Sequence, residues 1–195
     1  MMTCVTRPFR RFVDRSRIGL AGHSYGAAGV SWVGQADRRV DAVVAWDNLC
    51  DPSADTGAPG SGTSGCLPGA PGKVRPRVPS LGLSADYGLT PEAFLTQPDP
   101  QDRNHASHAF SKAGVDTGEL VIRGGTHYEF SYIPTPTFGA TLRGIDLSAW
   151  YATAWMDRYV KGDRTALRRL LTDRWRHDGV GASVRSEEHT SELQS

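Results

Sequence analysis

The sequence is poor in cysteine, in charge imbalance and in long apolar runs, and each shortage narrows what the chain can be. Cysteine occurs three times in 195 residues, at Cys4, Cys50 and Cys66. That is too few for a disulfide scaffold, and no CxxC spacing offers a thiolate zinc site. Lysine and arginine number 22 against 21 aspartates and glutamates, a formal net charge of +1. No broad field therefore draws the chain to nucleic acid or to an anionic membrane. Hydrophobic residues make up 38%, enough for a core, yet no run approaches the roughly 18 apolar residues of a membrane span. The expectation is a soluble globular chain, cytoplasmic or secreted. The opening MMTCVTRPFRRFVDRSR carries basic residues with no apolar stretch behind them, so no secretion signal is expected on the chain as it stands.

Glycine and proline, by contrast, are plentiful and unevenly spread. Residues 51–77 form a Gly/Pro/Ser-rich loop that Cys50 and Cys66 flank, and both a bridge closing that loop and a pair of free thiols are compatible with the spacing. Around it the chain alternates short apolar strands with helical patterns. RIGLAG, VDAVVAW, VPSLGLS and ELVIR read as strands, AAGVSWVGQ as a helix of small residues. Further on, Leu147, Trp150, Tyr151, Ala154, Trp155 and Tyr159 recur at helical spacing after Asp146, a candidate N-cap, and a shorter helix is expected over 165–172. The pattern is α/β with a mostly parallel sheet.

The first strand runs directly into Gly22-His23-Ser24-Tyr25-Gly26 and then into the helix. Strand, G-x-S-x-G, helix is the arrangement that holds a serine on a strained turn. Glycines on either side let strand and helix approach without a Cβ clash, and the helix N-terminus lies close to the hydroxyl. Ser24 is thus a candidate nucleophile.

The phrase RIGLAGHSYGAAGV resembles the nucleophile elbow of the α/β-hydrolase family, in particular its dienelactone-hydrolase and esterase-like bacterial members. The resemblance implies a Ser–acid–His order along the chain. His127, on the Gly-rich loop after ELVIR, takes the place of the base. For the acid the resemblance favours Asp86, just past VPSLGLS, although the family's usual position falls nearer Gly88; Asp47, at the end of VDAVVAW, is the alternative. The N–H of Tyr25 is the expected oxyanion donor. The activity implied is hydrolysis of a small-molecule carboxylic ester through an acyl-enzyme on Ser24, without metal or cofactor. Amide or peptide cleavage by the same triad, or a non-catalytic binding role on the same fold, are the other readings.

Other polar clusters have ordinary explanations. His105 and His108 share a helical face without a third metal ligand, Asp99 and Asp102 suit caps and turns, and His177 lies in a polar segment. Both ends of the chain are unusual. Residues 185–195 read RSEEHTSELQS, the in-frame translation of a short-read sequencing adapter, so this tail is expected to be non-native and its Glu187, Glu188 and His189 carry no metal reading. The resemblance also implies several strands ahead of the elbow, whereas only 23 residues precede Ser24. Residues 1–184 are therefore expected to be the C-terminal part of a hydrolase domain with its early strands missing, poorly soluble and nearly inactive as it stands.

Overall fold

A computed structural model describes residues 12–54, 66, 72–88, 105–132 and 141–174, and the backbone of 189–194. Asp99, Asp102, His177, Glu187 and Glu188 lie outside the described residues.

The fold is α/β. Strands β1 (Gly19–His23), β2 (Ala42–Trp46), β3 (Ser80–Ala85) and β4 (Thr117–Ile122) lie side by side in chain order, all parallel. Between them run helices α1 (Tyr25–Ala36) and α2 (His105–Lys112), and after them α3 (Leu142–Tyr159) and α4 (Ala166–Leu170). A fifth strand, β5 (His189–Gln194), adds antiparallel to β4. It belongs to the adapter-like tail; pairing at a sheet edge uses only main-chain groups, so an open edge accepts an extended segment of almost any sequence. β1 is the outermost strand on the other side.

Side chains on each strand alternate between two covered faces. Ala42, Val44, Leu81, Leu83, Ala85, Leu120 and Ile122 point to one face, where Leu147, Tyr151, Ala154 and Trp155 of α3 cover them. Val43 and Ala45 point to the other, against Val30 and Ala27 of α1 and Phe110 of α2. Burial on both sides accounts for the near-continuous apolar reading of VDAVVAW. The stripe read from the α3 sequence is core, with Trp155 almost fully buried. Asp146, however, does not cap that helix. Thr141 does, its hydroxyl accepting from Gly144 N at 3.0 Å, while Asp146 lies inside the helix and pairs with Arg174. The helix begins earlier than its aromatic pattern, because its first turn, Leu142 to Ile145, carries no aromatic residue. His105 and His108 are both exposed on α2.

Polar residues on the α1/α2 face are tied down rather than excluded. Gln35 of α1 donates to Ser80 Oγ at 3.1 Å, and its carbonyl oxygen accepts from Arg77 N and Val78 N at 2.7 and 2.8 Å. These bonds fix where the chain enters β3. Cys50 and Cys66 form a disulfide, with Cα atoms 5.3 Å apart, that closes the Gly/Pro-rich loop. Among the described residues no helix is long and apolar enough to cross a membrane.

Candidate active site

β1 and β2 end level with each other and β3 and β4 run two residues farther, and residues just past β1, β2 and β4 form the site. Ser24 follows β1 with φ 60° and ψ −124°, and its N–H donates to the Trp46 carbonyl at 2.9 Å. Asp47 follows β2 with φ 44°, and its N–H donates to the Leu83 carbonyl at 2.8 Å. Among the described residues, Ser24 and Asp47 are the non-glycine positions with positive φ. Such backbone is costly for L-residues and persists where the surroundings over-determine it, often at functional sites.

Gly22 and Gly26 contribute unequally to the turn. A Cβ on Gly22 would run into the Gly26 carbonyl and Ala27 N, so this position has room only for hydrogen. A Cβ on Gly26 would meet nothing. The expectation that both glycines relieve a clash therefore holds for the first alone. What the second contributes is the backbone surface against which Gly22 packs.

His127 reaches this edge from the loop after β4. Ser24 Oγ donates to its Nε2 at 2.8 Å, and its Nδ1 donates to Asp47 Oδ2 at 2.6 Å. The Asp47 side chain is 7% exposed and that of His127 18%. A serine hydroxyl, an imidazole and a buried carboxylate thus form one hydrogen-bonded chain. The imidazole is also held from beneath: His23 Nε2 donates to the His127 carbonyl at 2.7 Å, and the two rings lie 4.6 Å apart. Tyr128 meets the His127 ring edge-on.

Asp86, the acid favoured on sequence, is not the partner of His127. Strand register explains why. His23 is level with Trp46, and Trp46 with Leu83, so Asp47 stands beside Ser24 and level with Ser84. Asp86 lies farther along β3. Ala85 is level with Ile122, which brings Asp86 opposite Arg123. There its Oδ2 accepts from Arg123 Nε at 2.9 Å and from Gly124 N at 2.7 Å. Asp47, the alternative on sequence, is the carboxylate that meets His127 Nδ1.

Tyr25 opens α1 directly after Ser24, with its side chain 71% exposed. Its N–H sits at the positive end of a helix dipole, where negative charge is favoured. Among the described residues no cluster of His, Cys, Asp and Glu could hold a metal ion. A groove of about 400 Å³ lined by Trp150, Thr165, Arg168, Arg169 and Thr172 shares no residue with the Ser24–His127–Asp47 chain. The contacts of His23 with the His127 carbonyl and of Arg123 with Asp86 were not foreseen from the sequence. Both depend on the order and register of the strands, and no local motif carries that information.

No protein-family model and no curated protein matches the chain.

Proposed function

We propose that the chain is a serine hydrolase of α/β-hydrolase type, cleaving carboxylic esters through an acyl-enzyme on Ser24. The observation that carries this reading is the Ser24–His127–Asp47 hydrogen-bonded chain at the C-terminal edge of a parallel sheet. In such sheets, ligand chemistry gathers beyond the strand ends.

The roles follow from the bonds. His127 Nε2 takes the hydroxyl proton as Ser24 Oγ attacks the ester carbonyl carbon. Negative charge moves onto the carbonyl oxygen, where the N–H of Tyr25 donates to it. The tetrahedral adduct collapses, the C–O bond to the alcohol breaks, and His127 returns the proton to the leaving alkoxide. A water then gives its proton to His127 and attacks the acyl carbon; the acid departs and Ser24 recovers its proton. Asp47 holds the tautomer with Nδ1 protonated and stabilises the imidazolium that forms in both halves.

A carboxylate on His127 Nδ1 is also what separates a catalytic reading from a binding role on the same fold. Asp47 supplies it, which supports catalysis. Covalent capture by a fluorophosphonate probe, read by intact mass, tests the proposal. The protein should gain one probe adduct, Ser24→Ala should gain none, and the slow turnover expected of this chain should favour activated esters over matched peptide amides. Absence of labelling of the folded protein would overturn the assignment.

A further inference from the structure

The carboxylate displaced from the triad lies in a second, separate network on the same loop. Four hydrogen bonds join the turn after β3 to the turn after β4. Asp86 Oδ2 accepts from Gly124 N and Arg123 Nε, Tyr87 N donates to the Gly125 carbonyl at 3.1 Å, and His127 N donates to the Gly88 carbonyl at 2.9 Å. Residues 86–88 and 124–127 are thereby zipped together over their whole length, with the His127 backbone as the last rung. The Asp86 side chain is 3% exposed and that of Arg123 28%.

From this arrangement we infer that Asp86 is a positioning residue for His127, an inference that rests on the hydrolase reading above. The base sits on a Gly-Gly loop whose own sequence fixes little, Gly124 having φ 74°. The charge-assisted bond from Asp86 to Gly124 N pins the start of that loop, and the Gly88 carbonyl pins its end. Arg123 balances the buried carboxylate, so the clamp carries no net charge. Asp86 touches neither Ser24 nor the imidazole; it acts through the loop. His127 must meet Ser24 Oγ and Asp47 Oδ2 together, so a small displacement of the loop breaks both bonds.

The test uses the whole chain and two variants, Asp86→Ala and the isosteric Asp86→Asn. Three quantities are read: the rate of Ser24 labelling by a fluorophosphonate, kcat and KM on an activated acetate ester, and the downfield proton resonance of His127 Nδ1–H. Circular dichroism checks the fold. Asp86→Ala should slow labelling and kcat by about tenfold to hundredfold, the scale expected when a reacting group is misplaced by an ångström. KM should stay close to that of the parent protein, and the downfield resonance should broaden or vanish. Asp86→Asn, which keeps an acceptor for Gly124 N, should lose less by each measure. Parent-like labelling together with an intact resonance in folded Asp86→Ala would overturn the inference; if that variant does not fold, the same result in Asp86→Asn overturns it. The resonance reports loop position whether or not the protein hydrolyses anything. Failure of the parent to label therefore counts against the hydrolase reading, while an unmoved resonance in the variants counts against the clamp.

Discussion

Asp47 and His127 stand 80 positions apart in the chain, yet Oδ2 of the first accepts from Nδ1 of the second at 2.6 Å. The contact spans β3, which lies between the strands that carry them. It decides which of two carboxylates meets the imidazole.

Exchange of the acid should therefore separate the two aspartates. Asp47→Asn should lower kcat/KM on an activated ester by about 10³ to 10⁴, the scale known for loss of a buried triad acid. The amide can present N–H to Nδ1 and so favour the wrong tautomer. Asp86→Asn should cost far less. Steady-state kinetics of both variants decide it, and the reverse ranking would return the acid role to Asp86.

The elbow glycines should also differ. Gly22→Ala places a methyl against the Gly26 carbonyl, backbone that cannot swing aside, and should destabilise by about 1–3 kcal/mol. Gly26→Ala meets open space inside α1 and should stabilise by up to about 1 kcal/mol through helix propensity. Opposite shifts in Tm in a thermal melt are the expected outcome; equal losses would contradict it.

Reduction of Cys50–Cys66 should lower stability by about 3 kcal/mol in the chain-entropy account, given the sequence separation of 16. Denaturant unfolding with and without a reductant measures this. Cys50→Ser/Cys66→Ser should match the reduced protein and be insensitive to the reductant.

Asp157 joins α3 to α4. Its carboxylate accepts from Lys161 Nζ at 2.6 Å and from Arg169 Nη2. Those hydrogen bonds, Lys161 first and Arg169 second, hold its pKa below the usual carboxylate range. The unfolded chain then binds the proton more readily than the folded one. The contribution is complete above the ordinary carboxylate pKa of about 3.9 and disappears as pH falls through the lower folded value. Asp157→Asn should be less stable than the parent near neutrality, and the gap in Tm should close as pH falls below the ordinary carboxylate range. A gap independent of pH would mean that packing, not charge, is lost.

The core offers a plainer check. Trp155 is 1% exposed on α3, against the sheet face formed by Leu81, Leu83 and Leu120. Trp155→Ala should cost about 3–5 kcal/mol in denaturant unfolding. A loss below about 1 kcal/mol, ordinary for a surface position, would show that α3 does not seal this face.

Much of the α/β layout was legible because its signals are local. The apolar strands, the small-residue helix α1 and the aromatic stripe of α3 each lie within a few turns of chain, and the structure moves their ends by only a few residues. Asp146 was misread because a polar residue before an apolar stripe looks like a cap, while Thr141 sits before a first turn, Leu142 to Ile145, that lacks the aromatic stripe.

Ser24 was legible for the same reason. Every requirement of the elbow, from the strand through Gly22 to the small residues of α1, lies within residues 17–36, so sequence alone determined the position of the serine. The histidine could be read from its Gly-rich loop after the last parallel strand. The carboxylate that meets it could not, because Asp47 and Asp86 both follow apolar strands and look alike in one dimension. Register decided between them: it sets Asp47 beside Ser24 and Asp86 opposite Arg123. A carboxylate's role depends on which charge or ring faces it, and in a parallel sheet that neighbour comes from a different strand, distant in sequence and brought close only by folding.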